Sequence, residues 1–405
     1  MRFLYNTAIR TFGFGMYLGA ALQNKKAKEW LLGRQNWEKK MATFSNEKII
    51  WLHVSSLGEY IMSKPLIEQL LDSYKDNKIL LTFFSPSGYL NTKIQNQRIV
   101  KHYIPLDTNS NAKKFVQLVN PQIALFSKYD FWFNFLAELQ RKKIPTLVFS
   151  ANLKPEQIYF KNAFKWQKKI LQKFSKILVL NTEILKFLKS KNFSNAIVSG
   201  DVRFDEVGNK KEHDLSKIIE FIDGKKCIVL GSCWEHEENI LFKLGNSIKD
   251  YALILAPHDI SKARLSSIES KFYNKTVRLS KLEKLNHNNP ILIIDKIGLL
   301  AEIYRLSDIA FIGGGFTGKL HNILEAAATK NVVVFGNNFK DYPEAMELIS
   351  TNGAFSIQNH KDFLDLIQKT SDEKVMDLYK NQAVEFVHRN KGATKIVMEE
   401  INKLI

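Results

Sequence analysis

Cysteine is nearly absent: the 405 residues hold two, Cys227 inside an apolar run and Cys233 in the loop after it. Neither belongs to a Cys-x-x-Cys pair or a His/Cys cluster, so no zinc ligand set is evident, and a disulfide framework is excluded by count. That usage suits a reducing, cytosol-facing location. Asp-x-Asp, the usual carboxylate pair for a metal-held nucleotide, does not occur. No stretch supplies the roughly 20 nearly uncharged apolar residues of a membrane-spanning helix. Low-complexity tracts and short repeat periods are missing, which excludes a solenoid. An arginine-rich tail, an aromatic–basic RNA motif and a helix-turn-helix signature are also missing, so nucleic acid is not an expected partner. Acidic residues are in deficit, 41 Asp+Glu against 59 Lys+Arg, for a formal net charge of +18. Such an excess favours anionic partners: phosphorylated substrates or an acidic membrane surface.

What is present is alternation. The chain is long enough for two well-buried domains of about 150–200 residues each. Apolar runs predict strands near Ile49–Val54, Ile79–Phe84, Ile99–Ile104, Ile123–Phe126, Thr146–Phe149, Ile177–Leu180 and Ala196–Val198. A second series follows at Cys227–Leu230, Ala252–Ala256, Ile291–Ile294, Ile309–Gly313 and Val332–Phe335. Helix-period segments lie between them, which predicts α/β architecture with doubly wound parallel sheets. The charged stretch from Phe204, with Gly208 and Gly224, reads as the linker. From Asp362 onward the pattern is helical. At the other end, Phe3 to Leu22 is aromatic-rich, interrupted by Arg10 and followed by Lys25, Lys26 and Lys28. Arg10 disqualifies it as a signal peptide. A helix lying in the membrane interface is preferred over one packed on its own domain.

Two stretches carry chemistry. Phe311–Ala328 reads as a buried strand, a glycine loop (Gly313, Gly314, Gly315) and a short helix whose first turn bears His321, Asn322 and Glu325. Glycines let the backbone approach a ligand, and a helix start favours an anion. The alternative is a turn that needs glycine for packing alone. In the other stretch, Ile49–Val54 runs into Ser55, Ser56, Leu57, Gly58 and Glu59, which puts one carboxylate at the carboxyl edge of the sheet. There it can serve as a general base, or simply be a glutamate favoured in a first helical turn.

The segment His53–Glu59 resembles the His-Ala-(Val/Ala)-Ser-(Val/Leu)-Gly-Glu segment of the 3-deoxy-D-manno-octulosonic acid (Kdo) transferases of lipopolysaccharide assembly. Phe126–Trp132 is similar to that family's Glu-Thr-Glu-Leu-Trp, with Asp130 in place of the second Glu. Gly200–Asp205 resembles Gly-Asn-(Leu/Val)-Lys-(Phe/Tyr)-Asp, and Gly231–Glu238 resembles Ala-Ser-Thr-His-Glu-Gly-Glu-Glu. The glycine stretch matches Gly-Gly-Ser…Gly-Gly-His-Asn-(Pro/Ile)-Leu-Glu at Asn322 and Glu325. Joint order and spacing over most of the chain make the match specific.

The resemblance implies a GT-B fold, two facing Rossmann-like domains with an interdomain cleft. The implied divisions are an N-terminal membrane-associating helical segment (1–45), an acceptor and catalytic-base domain (46–203), a linker (204–225), a nucleotide-sugar-binding domain (226–385) and a C-terminal helix (386–405). It implies an inverting, metal-independent glycosyltransferase without a cofactor, moving Kdo from CMP-Kdo to a lipid A precursor at the cytoplasmic face of the inner membrane. Glu59 would be the general base with Asp130 as the second catalytic carboxyl, and Ser55, Ser56 and Gly58 would lie on the acceptor side. The donor would meet Ser232, Pro257, His258, Gly313, Gly314, Gly315, Asn322 and Glu325. His321 reads equally as a donor contact or a cap-region side chain. The chain departs from the family where Pro-Arg-His becomes Pro257-His258-Asp259, and where Asn-Ala-Arg-Leu becomes Ser150-Ala151-Asn152-Leu153. The alternative is a GT-B transferase or epimerase acting on another nucleotide sugar, such as a UDP-sugar.

Overall fold

The computed structural model describes residues 2–44, 47–161, 165–208, 213–273, 275–282 and 291–405. Two compact units result: Met1–Glu206 with Asn390–Ile405, and Val207–Arg389. Residues 209–212 of the expected linker lie outside the described residues.

The first unit is a parallel sheet of seven strands: β1 (Ile49–Val54), β2 (Lys78–Phe83), β3 (Ile99–Tyr103), β4 (Ile123–Ser127), β5 (Thr146–Ala151), β6 (Lys176–Val179) and β7 (Ala196–Val198). Their order is β3-β2-β1-β4-β5-β6-β7. β1 is buried along its whole length because helices cover both faces. Ile49 and Trp51 join a cluster with Phe115, Phe126 and Phe135. Ile50, Leu52 and Val54 point the other way, to Leu66, Leu70, Val397 and Ile401. Each such side chain contributes ~1.5–3 kcal/mol through burial. Val397 and Ile401 belong to the helix Ala393–Asn402, so the end of the chain completes the core begun by its first strand.

The second unit repeats the plan with β8 (Lys226–Cys233), β9 (Tyr251–Pro257), β10 (Thr276–Arg278), β11 (Ile291–Ile293), β12 (Ile309–Ile312), β13 (Val332–Gly336) and β14 (Ala354–Ile357). The order is β10-β11-β9-β8-β12-β13-β14. β10 and β14, the edge strands, are absent from the sequence-based expectation. Both are short, and their half-exposed residues give no continuous apolar run to read.

In each sheet the strand order reverses beside the first strand, between β1 and β4 and between β8 and β12. Open α/β sheets bind ligands at that switch point, beyond the carboxyl ends of the strands.

Candidate functional site

At the first switch point, β1 ends and the helix Leu57–Met62 begins. Ser56 caps it, its hydroxyl accepting from Glu59 N–H at 3.3 Å. The Glu59 carboxylate reaches back past the cap and accepts from Ser55 N–H at 2.7 Å. Ser55 Oγ donates to Asp130 Oδ1 at 2.6 Å, Asp130 standing just beyond β4. Ser55 and Glu59 are thereby joined in one cluster with Asp130, 75 residues from Ser55 in sequence. Gly58, at the mouth of the helix, is exposed.

The protonation of this cluster follows from its donors. His53 Nε2 accepts from the indole N–H of Trp132 at 3.0 Å. Indole nitrogen can only donate, so the His53 proton is on Nδ1, which faces Thr82 Oγ1 at 2.8 Å. Thr82 also accepts from Trp51 Nε1 at 2.8 Å. His53 therefore has no N–H for Asp130 Oδ2 at 3.7 Å, and the pair is not an ion pair. Burial pushes the His53 pKa down to about 3. Asp130, its side chain 13% exposed, is raised well above the carboxylate range by burial and then by the Glu59 charge. Among the described residues Asp130 Oδ2 has no hydrogen-bond partner, so nothing there favours its charged form beyond Ser55, whose hydroxyl donates to Oδ1. Glu59 itself is raised by burial, partly offset by the Ser55 N–H and the charge of Lys128. Both carboxyls are thus raised, by desolvation and, at Asp130, by the charge of Glu59, a pair that disfavours two negative charges and strengthens a general base.

The neutral, buried His53 has a consequence for stability. Its folded pKa lies below the unfolded value near 6.5, so the unfolded chain takes up this proton first as pH falls. The stability it contributes is full above about pH 6.5 and is lost towards pH 3, on the order of 5 kcal/mol in all. The difference in melting temperature between the parent and His53→Asn should therefore narrow from pH 7.5 to pH 4.5. A constant difference would mean that His53 is not neutral in the fold.

At the second switch point the chain is irregular. Ser232 has a φ of 51° at the register shift between β8 and β9, the kind of backbone strain that collects at functional sites. Gly313, Gly314 and Gly315 follow β12 and are packed against other backbone. A Cβ on Gly313 would lie 2.1 Å from Ser232 O, one on Gly314 2.1 Å from Lys319 O, and one on Gly315 2.4 Å from Gly336 N. Gly314 N–H donates to Glu237 at 3.0 Å, and the other oxygen of Glu237 accepts from Trp234 N–H at 2.9 Å.

The helix expected to begin at His321 begins at Leu324, as Leu324–Ala328. Lys319 and His321 send their N–H groups back to Gly314 O and Gly313 O at 3.0 and 3.1 Å, so these residues close a loop instead of opening a helix. His321 and Asn322 therefore lie in that loop. Asn322 accepts from Leu324 N–H at 3.1 Å and donates to Glu325 at 3.2 Å.

Pro257 ends β9, and His258 N–H donates to Cys233 O at 3.0 Å. The His258 ring stacks on Trp234 at 4.5 Å and lies 4.7 Å from His321. Trp234 Nε1 donates to His321 Nε2 at 3.3 Å. Burial, then the nearby His258, lowers the His321 pKa to about 4. Trp234, His258 and His321 thus form an aromatic–imidazole stack that offers a flat face to a base, with Ser232 and Pro257 adjoining it along the chain. Among the described residues no group of three or more His, Cys, Asp or Glu side chains could hold a metal ion.

Sequence reasoning gave no role to His53, Thr82, Trp132, Trp234 or Glu237. Four of these lie inside the motifs already quoted. Thr82 had only the weak signal of a polar residue in the apolar run of β2.

A protein-family model described as 3-deoxy-D-manno-octulosonic-acid transferase (Kdo transferase) matches residues 34–206. The 3-deoxy-D-manno-octulosonic acid transferase of Rickettsia felis is 26% identical over 379 residues, covering 88% of this chain and 79% of its own. Among solved structures, the UDP-GlcNAc 2-epimerase of Neisseria meningitidis bound to UDP-GlcNAc shares 12% identity at a TM-score of 0.60, covering 88% of this chain and 100% of its own. MurG of Acinetobacter baumannii shares 13% at 0.56, covering 88% and 99%. These two structures speak for the fold alone, which is GT-B, with Rossmann-like units. Residues 34–206 thus match the Kdo transferase domain, and over most of its length the chain is similar to Kdo transferases, which are glycosyltransferases.

Proposed function

We propose that this chain transfers Kdo from CMP-Kdo to a lipid A precursor, with inversion and without a metal. The observation that carries the reading is the Glu59–Ser55–Asp130 cluster at the first switch point. Glu59 takes the proton of the acceptor hydroxyl as its oxygen bonds to the anomeric carbon of Kdo. The bond from that carbon to the CMP phosphate breaks, and its electron pair leaves with the phosphate. Asp130, raised by burial and by the Glu59 charge, disfavours a second negative charge in the site. On the donor side, the Trp234–His258–His321 stack and the glycine loop receive CMP, and His258 stands where the family's arginine would be. Incubation with CMP-Kdo and a tetraacylated lipid A precursor should yield a product heavier by one or more Kdo units. Transfer from a UDP-sugar instead would sink the reading.

The acceptor would be reached from a membrane surface. No described helix is long and apolar enough to cross a membrane. The helix Arg2–Ala21 instead has two sides. On one, Tyr5 donates to Asp107 at 2.5 Å and Phe12 packs on Phe84 at 5.9 Å. On the other, Phe3, Leu4 and Phe14 are 61–77% exposed, a pattern suited to lying in the interface. Replacing these three with serine should lower binding to anionic liposomes severalfold while the far-UV spectrum stays unchanged. Unaltered partitioning would refute the interfacial role.

A further inference from the structure

Beside the N-terminal helix lies a cavity of about 390 Å³ whose walls include Arg10, Tyr17, Trp30, Leu31, Arg34 and Trp37, and no Asp or Glu. Arg34 is 8% exposed. Its guanidinium lies 3.7 Å from the Trp30 ring centre, with Tyr103 at 4.8 Å and Phe84 at 5.2 Å. Its N–H groups donate to the carbonyls of Ile104, Trp30 and Phe84 at 2.8, 3.0 and 2.8 Å. Among the described residues no carboxylate pairs with it. Burial accordingly pulls its pKa down to about 9.

A buried cation without a counter-ion costs several kcal/mol, and the folded unit bears that cost at the wall of an open cavity. Arg10, on the helix above, brings a second guanidinium to the same space, and it too pairs with no carboxylate among the described residues. Apart from the uncharged amide of Asn111, the rest of the wall is mostly aromatic and aliphatic, and Tyr17 continues it onto the exposed side of the helix, being itself 64% exposed. Guanidinium groups suit phosphate, whereas apolar walls have no use for free phosphate. A neutral lipid would leave both charges unanswered.

The cavity also leads to the chemistry. Phe84 packs on Trp30 at 5.9 Å and on Trp132 at 5.0 Å, and Trp132 holds His53 next to Asp130.

We propose that this cavity binds the phosphate of an acylated amphiphile, with the phosphate at Arg10 and Arg34 and the acyl part running along the exposed side of the N-terminal helix. The proposal rests on the acceptor reading above in identifying the amphiphile as the substrate.

Calorimetric titration of the full chain with monomeric dihexanoyl phosphatidic acid tests it. Binding should be at least about tenfold tighter than for dihexanoyl phosphatidylcholine or inorganic phosphate. Arg10→Glu should weaken it by about tenfold or more, and so should Leu31→Phe, which fills the space without touching a charge. Equal affinity for either control compound, or binding in Arg10→Glu within twofold of the parent, would overturn the site. Failure of the transferase reading shows separately: the parent would bind phosphatidic acid yet form no Kdo product.

Discussion

Glu59→Gln is expected to slow Kdo transfer by about 10²–10⁴-fold, the usual contribution of a general base. That corresponds to a barrier higher by about 2.7–5.5 kcal/mol. The substitution is nearly isosteric. The amide oxygen can still accept from Ser55 N–H, now 2.7 Å from the carboxylate, and the cap at Ser56 is untouched. What disappears is the ability to accept a proton. CMP-Kdo binding, measured by calorimetry, should stay within about twofold, because the donor contacts proposed here are all in the second unit. Near-normal turnover in this variant would remove Glu59 from the mechanism. Weak CMP-Kdo binding with unchanged turnover of the bound complex would make it a donor contact instead.

Gly313→Ala is expected to destabilise the second unit by about 3 kcal/mol or more, the upper range for forcing extra volume into a packed site. A Cβ there would lie 2.1 Å from Ser232 O, 2.7 Å from Ser232 C and 2.8 Å from Cys233 Cα. These are backbone atoms at the end of a central strand, and no rotamer change can move them away. For a unit of this size the melting temperature should fall by about 10 °C. Gly15→Ala is the control. It sits in the helix Arg2–Ala21 with nothing within 4 Å of the added carbon, and should be neutral or stabilising by up to ~1 kcal/mol. If Gly313→Ala melts like the parent and loses only nucleotide affinity, the glycine serves ligand approach and not packing. The two readings left open by the sequence are thereby separated.

The central strands were legible because they are buried on both faces. Runs such as Ile49–Val54 and Val332–Phe335 contain scarcely any polar residue, and helical stretches between them require parallel pairing. The edge strands β10 and β14 of the second sheet escaped because Thr276–Arg278 and Ala354–Ile357 are short and give no continuous apolar run. The span of the helix after the glycine loop was misjudged, since polar residues at helical spacing look alike whether they open a helix or close a loop. Backbone hydrogen bonds to Gly313 O and Gly314 O made the choice.

The sequence by itself determined the architecture, two series of buried parallel strands, and it named Glu59 and Asp130 through motifs matched in order. It could not place a proton. That the His53 proton sits on Nδ1, away from Asp130, depends on Trp132 using up the acceptor nitrogen of His53, a contact across 79 residues. The burial of Arg34 with no paired carboxylate among the described residues is equally invisible in one dimension. Lysines, arginines and carboxylates are plentiful along the chain, and only the folded unit shows which of them are taken out of water and which neighbours they find there. Desolvation and pairing are properties of surroundings, and surroundings are made by tertiary structure.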